Sequence, residues 1–261
     1  MNNQVKETLL KVENLCVDFH MYTKGLHQYD SRVISDLSIE VHKGEILAII
    51  GASGSGKSVL AHSILGLLPS NAKVNGKIIY KGKELDNEYR KEVIGNEIVL
   101  IPQSVTYLDP LMKIGKQVKG IKYSDSDVDK AFKRYDLNEH VKKMFPFQLS
   151  GGMARRVLVS TAVISNAELI IADEPTPGLS EDIAEETMKN FKELAQEGRG
   201  IVLITHDIDL ALMIADTVAV FKDGTTVEIT TVENFNKGGE ALKHDFTKAL
   251  WKALPQNDFI G

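Results

Sequence analysis

The chain has 261 residues, of which 43% are hydrophobic and 26% are charged. This composition is typical of a globular protein with one large domain or two small ones, and it is sufficient to bury a substantial core. The formal net charge is −5, so overall charge does not favour a nucleic-acid partner.

Neither a signal peptide nor a membrane span is predicted. The N-terminal stretch MNNQVKETLL has no apolar signal core. No apolar run approaches the roughly 20 residues that a helix needs to span a bilayer. We therefore expect a cytosolic protein that reaches a membrane only through a partner. The single cysteine, Cys16, lies in an apolar stretch, so we expect it to be buried, and it excludes a disulfide within the chain.

Taken in chain order, the N-terminal stretches alternate apolar and polar residues. Residues 9–19, 36–44 and 77–85 show this pattern. Alternation is typical of strands with one exposed face, so an antiparallel sheet is predicted near the N-terminus.

The rest of the chain alternates short apolar runs with longer helical patterns. Strands are predicted at 45–51, 97–103, 168–174, 200–206 and 217–224. Helices are predicted at about 58–68, 151–166, 181–197 and 208–216. This order predicts an α/β core with a parallel sheet covered on both faces.

A single domain over residues 1–261 accommodates these patterns with two appendages. Residues 104–148 are polar and helical, and with the helix that follows they predict an inserted helical subdomain over about 104–165. An amphipathic helical tail is predicted over about 240–261.

The stretch GASGSGKS, residues 51–58, matches the P-loop pattern G-x-x-x-x-G-K-[ST] without a mismatch. It follows a predicted strand and opens a predicted helix, which is the context that the pattern requires. Its glycines allow backbone N–H groups to converge on phosphate oxygens at a helix N-terminus. The predicted nucleotide-binding residues are Gly51, Ala52, Ser53, Gly54, Ser55, Gly56, Lys57 and Ser58.

The chemistry of this loop assigns separate tasks to its last two residues. Lys57 can reach the β- and γ-phosphates, and the Ser58 hydroxyl can bind Mg²⁺. A second part of the site is predicted where the run LIIADE ends in Asp173 and Glu174. Ligands bind at the carboxyl ends of parallel strands, so both carboxylates should face the P-loop. Asp173 would hold Mg²⁺, and Glu174 would polarise the attacking water.

These parts predict a hydrolase of nucleoside triphosphates without saying which class. GTPases carry an N-K-x-D motif that reads the base, and this chain has none. The stretch LSGGMARR, residues 149–156, narrows the class. Ser150 is a natural helix N-cap, and Gly151 and Gly152 expose the backbone at that helix start, so a second anion site is predicted there.

With this motif in place, the sequence resembles the ATP-binding cassette family, whose signature begins L-S-G-G. The resemblance runs from about residue 9 to residue 255 and implies ATP and Mg²⁺ as cofactors. It implies that Ser150, Gly151 and Gly152 close over the ATP of a partner cassette. Gln103 matches the glutamine that senses Mg²⁺ and water, and His206 matches the switch histidine that contacts the γ-phosphate.

The family also stacks an aromatic ring on adenine, from a loop before ISDLSIEV. Tyr29, Tyr22 and His27 all lie in that region, and spacing favours Tyr29. A surface aromatic without a ligand remains the alternative interpretation of each.

Three positions depart from the family pattern. Ser180 stands where the family has Asp in a loop that crosses the dimer interface, and Glu181 and Asp182 next to it are ordinary acids of a first helical turn. Pairing with a different cassette subunit, giving two unequal sites, is our interpretation. Ala154 replaces a common Arg or Gln, and we expect Arg155 and Arg156 to keep that region basic. The insert between Gln103 and Ser150 is short.

The tail HDFTKALWKALP, residues 244–255, resembles the peptide/nickel importer cassettes, and the full ending is most like those of nickel and metal–opine metallophore importers. The resemblance implies uptake of nickel, a metal–opine complex or small peptides, with a second cassette, two transmembrane permease subunits and an extracytoplasmic solute-binding protein as partners. It places the chain peripherally on the cytoplasmic face of the cell membrane, with no nucleic-acid partner. The alternatives are a soluble cassette ATPase that is not coupled to transport and a regulatory ATP-binding subunit with little hydrolysis.

Overall fold

The computed structural model describes residues 7–22 and 27–254, which form two β-sheets with helices packed against them. The strands are β1 (Thr8–Tyr22), β2 (Gln28–His42), β3 (Ile46–Gly51), β4 (Ala72–Tyr80), β5 (Lys83–Glu84), β6 (Ile98–Ile101), β7 (Leu169–Asp173), β8 (Gly200–Ile204), β9 (Thr217–Lys222) and β10 (Thr225–Thr231). The helices are α1 (Lys57–Leu65), α2 (Asn87–Val93), α3 (Ile114–Lys119), α4 (Asp125–Arg134), α5 (Gly151–Ile164), α6 (Glu181–Gln196), α7 (Ile208–Ile214), α8 (Val232–Lys237) and α9 (Asp245–Lys252). Within the described ranges, no helix is long and apolar enough to cross a membrane.

The larger sheet has the strand order β10-β9-β3-β8-β7-β6. Its strands from β9 to β6 are parallel, and β10 pairs antiparallel with β9. Successive residues of β3 enter two apolar clusters, with Ile46, Ala48 and Ile50 on one face and Leu47 and Ile49 on the other. Both faces are covered, which explains the consecutive apolar residues. The predicted α/β core with a parallel sheet is confirmed.

The smaller sheet is antiparallel, with the order β2-β1-β4-β5, as the alternating N-terminal stretches predicted. Its first two strands are longer than the alternation indicates. They pair out to Tyr22 and Gln28, with Met21 opposite Tyr29. The prediction that Tyr29 lies on a loop is therefore wrong. Ladder hydrogen bonds extend the hairpin through polar residues that carry no apolar pattern.

Cys16 is half-buried rather than buried, which corrects the prediction from its apolar neighbours. The pairing of β1 with β2 shifts register on either side of Leu15, next to Asn14 at φ 49°. A bulge of this kind redirects the side chains that follow it. The Cys16 Sγ accepts a hydrogen bond from the amide of Asp36 at 3.3 Å.

The segment between β6 and β7 contains α3, α4 and α5, joined by short 3₁₀ turns, and has no strand. Ser124 and Asp127 form a capping box at the start of α4. The buried side chains of this segment belong to the same apolar cluster as one face of the large sheet. The insert thus packs directly on the core that carries the P-loop.

Helix α9 lies within the predicted C-terminal tail, whose last residues, 255–261, are outside the described residues. Phe246 and Leu250 pack against the main core. The Glu228 carboxylate accepts the amides of Lys243 and His244 at 2.9 Å each, which fixes the chain just before the helix. These hydrogen bonds lower the pKa of Glu228 against the opposing effect of its burial.

Candidate nucleotide-binding and hydrolysis site

The P-loop joins β3 to α1, as the sequence predicted. Gly51 has φ 150°, and a Cβ there would lie 2.1 Å from the carbonyl oxygen of Phe221 on β9. Gly56 has φ 95° and is the N-cap of α1. Glycine is required at both positions. At Gly51 the neighbouring strand leaves no room for a Cβ, and at Gly56 the backbone has the left-handed conformation that favours glycine.

Lys57 is buried, with 8% of its surface exposed. Its Nζ donates hydrogen bonds to the carbonyls of Gly51 and Ala52 at 2.9 Å each. Burial lowers the pKa of Lys57, and the carboxylates of Glu174 and Asp173 oppose that shift. The ammonium group is thus held over the start of the loop, close to both acids.

A cavity of about 280 Å³ opens in front of the loop. It brings together the P-loop, residues at or just beyond the ends of β6, β7 and β8, Val33 of β2 and the first turn of α1. Its polar walls are formed by Ser53, Gly54, Gly56, Lys57, Ser58, Gln103 and Glu174. Glu174 and Gln103 therefore lie beside the P-loop, at the carboxyl ends of the parallel strands, as predicted.

Asp173 is the last residue of β7 and is 3% exposed. Burial raises the pKa of its carboxyl group, while a hydrogen bond with Ser58 acts in the opposite direction. Among the described residues, its Oδ1 has no hydrogen-bond partner. The Ser55 hydroxyl is likewise buried and has no partner in the described part of the chain. Polar atoms without partners in a buried site are typical of a place that receives a ligand.

Glu174 follows β7 with φ 48°, in the left-handed region that a residue with a Cβ rarely adopts. Its amide donates to the carbonyl of Ile204 at 2.8 Å. Its Oε2 lies 2.8 Å from the Nδ1 of His206 and 3.5 Å from the Thr205 hydroxyl. Strained backbone of this kind occurs at functional sites, where the surrounding structure holds it in place.

His206 follows the end of β8, and two-thirds of its side chain is exposed. The structure therefore joins two predicted residues, Glu174 and His206, in one hydrogen-bonded pair. Gln103 lies two residues beyond the end of β6 and is exposed at the mouth of the same cavity.

Ser150 is the N-cap of α5, and its hydroxyl accepts a hydrogen bond from the amide of Met153 at 3.2 Å. The residues Ser150, Gly151 and Gly152 do not line the cavity that contains Lys57. Gly152 instead lies beside the loop before α6, where an added Cβ would be 3.7 Å from the carbonyl of Gly178. This helix start is therefore a separate place, as the sequence predicted.

A protein-family model described as "ABC transporter" matches residues 34–177 of this chain, a span that contains the P-loop, Gln103, the LSGG motif and Glu174. The chain belongs to the ABC transporter family. It is an ATP-binding and ATP-hydrolysing cassette, which confirms the resemblance stated from its motifs.

Curated relatives agree with this assignment over nearly the whole cassette. The dipeptide transport ATP-binding protein DppD of Lactococcus lactis is 35% identical, over 97% of this chain and 75% of its own. The protein of the same name from Bacillus subtilis is 33% identical, over 98% of this chain and 79% of its own. Among solved structures, the dimeric bacterial ABC transporter cassette MJ0796 has a TM-score of 0.75 and 25% identity, over 86% of this chain and 99% of that one.

The ABC cassette does not bring Tyr29 to its P-loop in this structure. Tyr29 is 48% exposed and Tyr22 is 62% exposed, and neither they nor His27 line the cavity. The P-loop meets β2 at Val33, whose carbonyl would be 3.1 Å from a Cβ on Gly56. Val33 is four residues from Tyr29, or about 13 Å along a strand. Adenine stacking by Tyr29 stays a prediction.

The two arginines after the signature motif bond backbone carbonyls of neighbouring segments. Arg155 is 5% exposed, and it bonds the carbonyls of Pro102 and Gln103. Arg156 is largely buried and bonds backbone carbonyls at the end of α4. The burial of Arg155 could have been predicted from the sequence, because helical spacing puts it on one face with three apolar residues of α5. These residues are Leu158, Val159 and Ala162, and all three are buried.

Proposed function

We propose that this cassette powers a membrane importer of small peptides, nickel or a metal–opine metallophore complex. The observation that supports the ATP-hydrolysing role is a single cavity lined by Lys57, Glu174 and Gln103, beside the buried Asp173. Phosphoryl transfer depends mainly on positioning and electrostatics, and this set supplies both.

Mg²⁺ fits the residues at the end of β7. Asp173 has a buried oxygen without a partner in the described chain, and it hydrogen-bonds Ser58, so oxygen donors are already grouped there. Ser58, Asp173 and Gln103 would hold the ion. Bound Mg²⁺ would neutralise charge on the β- and γ-phosphates of ATP.

Glu174 is the proposed general base. Its carboxylate is fixed by His206 and lines the cavity next to Lys57, so it can accept a proton from a water that enters there. His206 positions that carboxylate, and its exposed ring can also contact the γ-phosphate. Lys57 and the loop amides would bind the β- and γ-phosphates.

We propose that the signature segment of this chain contacts the ATP that is bound to the P-loop of a partner cassette. Ser150, Gly151 and Gly152 stand apart from the cavity of their own chain, and the solved relative MJ0796 is described as dimeric. A helix N-terminus with exposed glycine backbone suits a phosphate supplied by a partner. Because Ser180 departs from the family pattern, we propose that the partner is a different cassette chain.

A groove of about 420 Å³ is the proposed contact with the permease subunits. It lies between the end of α1, the region around β6 and the turn between α3 and α4, and its lining is mainly apolar. Leu67 is half exposed and Ile121 is fully exposed at its edge. Apolar side chains exposed beside such a groove mark an interaction site. The cassette would then lie peripherally on the cytoplasmic face, with two permease subunits, an extracytoplasmic solute-binding protein and no nucleic acid.

The cargo is proposed from similarity, because it does not contact this chain in such a system. Relatives at 32–35% identity are named as dipeptide or oligopeptide transport ATP-binding proteins, which favours small peptides. The tail resemblance favours nickel or a metal–opine complex.

Transport by an assembled system tests the proposal. The cassette would be co-expressed with the membrane proteins and second cassette encoded beside it, purified and reconstituted in vesicles with the solute-binding protein. ATP-dependent uptake of a labelled dipeptide, Ni²⁺ or a Ni²⁺–opine complex would be compared, with Lys57→Ala as the inactive control.

Uptake of one of these substrates would support the importer and identify its cargo. Failure of the cassette to co-purify with any membrane subunit would favour a soluble ATPase. ATP binding without turnover in an assembled complex would favour a regulatory subunit.

A further inference from the structure

Arg155 is a buried cation that the proposed chemistry does not use. It lies one turn after the LSGG motif on α5, and only 5% of its surface is exposed. Arginine is almost never this buried unless its charge is paired or hydrogen-bonded. Its position therefore calls for an explanation in terms of the groups it contacts.

The guanidinium group bonds two consecutive carbonyls at the end of β6. Its Nη1 donates to Pro102 at 2.8 Å, and its Nη2 donates to Gln103 at 2.5 Å. Strand β6 ends at Ile101, which is the last residue paired with β7. Arg155 thus donates hydrogen bonds to two carbonyls that lie just beyond the last residue of β6 paired in the sheet.

The fork of an arginine is suited to this task. Its planar group presents several N–H donors in a fixed geometry and stays protonated, whereas a lysine or glutamine cannot span two carbonyls with the same charge. The carboxylates of Glu174 and Asp173 favour the charged guanidinium and oppose the effect of burial. The Nε is also buried and has no partner among the described residues.

We infer that Arg155 is a positioning residue for hydrolysis: it couples the start of the signature helix to Gln103 of the same chain and so holds Gln103 at the ATP cavity. The inference rests on the proposed function, in which Gln103 acts at Mg²⁺ and the attacking water. Movement of α5 would pass to Gln103 through two hydrogen bonds to its own peptide segment.

Two measurements on Arg155→Gln test this. In the full-length chain alone, amide hydrogen exchange of residues 103–108 should increase, while exchange of β7 stays unchanged and shows that the core is folded. In the assembled transporter, with the P-loop lysine of the partner cassette replaced, kcat should fall about 10-fold or more, because misplacing a catalytic group by about 1 Å can cost up to about 10²-fold in rate. The KM for ATP should change little. Arg155→Lys, which keeps a charge and one bond, should be intermediate.

The double variant separates positioning from general damage. If Arg155 acts through Gln103, then Arg155→Gln should cause no further loss of kcat in a Gln103→Ala background. Arg156→Gln is the matched control. It also removes a guanidinium from α5, but that guanidinium bonds two different consecutive carbonyls, those of Tyr135 and Asp136. Its effect on kcat should multiply with that of Gln103→Ala.

Unchanged exchange at residues 103–108, or losses that multiply for Arg155→Gln and Gln103→Ala, would overturn the inference. If exchange rises but Gln103→Ala leaves turnover intact, the proposed role of Gln103 is wrong and the positioning role falls with it. The increased exchange would then show that Arg155 does hold the segment at Gln103, and that the error lies in the role proposed for Gln103 in hydrolysis.

Discussion

Asp173 and Glu174 are neighbours in the sequence, but their surroundings separate their tasks. Asp173 is still paired in β7, opposite Ile204, and its carboxyl group is buried beside Ser58. Glu174 has left the strand with φ 48° and points its carboxylate to His206 and the cavity. Both side chains are buried, but one residue of left-handed backbone directs the Glu174 carboxylate to the cavity while Asp173 stays beside Ser58, in the roles proposed above.

Glu174→Gln should retain ATP binding and lower hydrolysis by about 10²-fold or more, which is the usual scale for loss of a general base. The amide keeps the shape of the side chain but cannot accept the proton. Lys57→Ala should instead weaken ATP binding, because it removes the buried ammonium from the loop. Equilibrium binding of labelled ATP and steady-state turnover would measure both. An equal loss of binding in the two variants would contradict the assignment.

Asp173→Asn should stabilise the nucleotide-free chain at neutral pH, by on the order of 1 kcal/mol, because it removes a desolvated charge. The pKa of Asp173 is raised in the folded chain, so its ionised form lowers stability above that pKa. Below the pKa of the unfolded carboxyl group both states are protonated, and this cost disappears. Denaturant unfolding of wild type and Asp173→Asn should therefore differ at neutral pH and converge in acid. A difference independent of pH would show that the effect is not ionisation of Asp173.

At the scale of elements, Ser180 begins a helix: it lies at the end of the loop before α6. Ser180 is the N-cap of α6 with φ −67° and ψ 157°, and its side chain makes no capping hydrogen bond. Ser and Asp are both good N-cap residues, so either fits this backbone. The first-turn acids Glu181 and Asp182 are where the sequence predicted them. A functional effect of exchanging Ser180 would therefore not come from refolding of the helix.

Ser180→Asp tests whether two unequal cassettes pair. If the loop crosses to a partner, the added carboxylate should change turnover at the site built on the partner's P-loop by several-fold. Turnover at the site of Lys57 should stay nearly constant. The measurement uses assembled complexes with the P-loop lysine replaced in one subunit at a time, each with and without Ser180→Asp. A change confined to the site of Lys57 would show that the loop acts within its own chain.

The elements themselves were largely predictable from local sequence. Consecutive apolar residues such as those of β3 identify a strand that is buried on both faces, and a glycine-rich stretch ending in Lys57 identifies the phosphate loop. Tyr29 and Cys16 were placed wrongly for a shared reason. Each depends on a non-local contact: a paired strand for Tyr29 and a register shift for Cys16. Local patterns do not encode such contacts.

At the scale of the whole molecule, the two segments proposed to bind phosphate lie on separate surfaces of the cassette. Lys57 and its loop line one cavity, while Ser150 and the glycines that follow it lie elsewhere. If each site needs both surfaces, one chain cannot complete a site by itself.

The isolated chain should therefore hydrolyse ATP at least about tenfold more slowly than the assembled transporter, because the charge that develops on the transferring phosphoryl group lacks its opposing donors. ATPase rates of the chain alone, measured over a dilution series, would be compared with those of the full complex. A dilute monomer that matches the full complex would contradict this expectation.

The contact between Val33 and the P-loop has a mechanical consequence. The Val33 carbonyl is approached from one side by Gly56 and from another by Gly224, where an added Cβ would lie only 2.3 Å away. Backbone therefore approaches backbone at this edge of the cavity, beside the β-branched side chains of Val33 and Ile34, which are stiff at χ1. Gln103, which also lines the cavity, is instead attached to the helical insert through the side chain of Arg155. We therefore expect the cavity to change width more readily at Gln103 than at Val33, so that a bound nucleotide would meet one rigid surface and one adjustable surface.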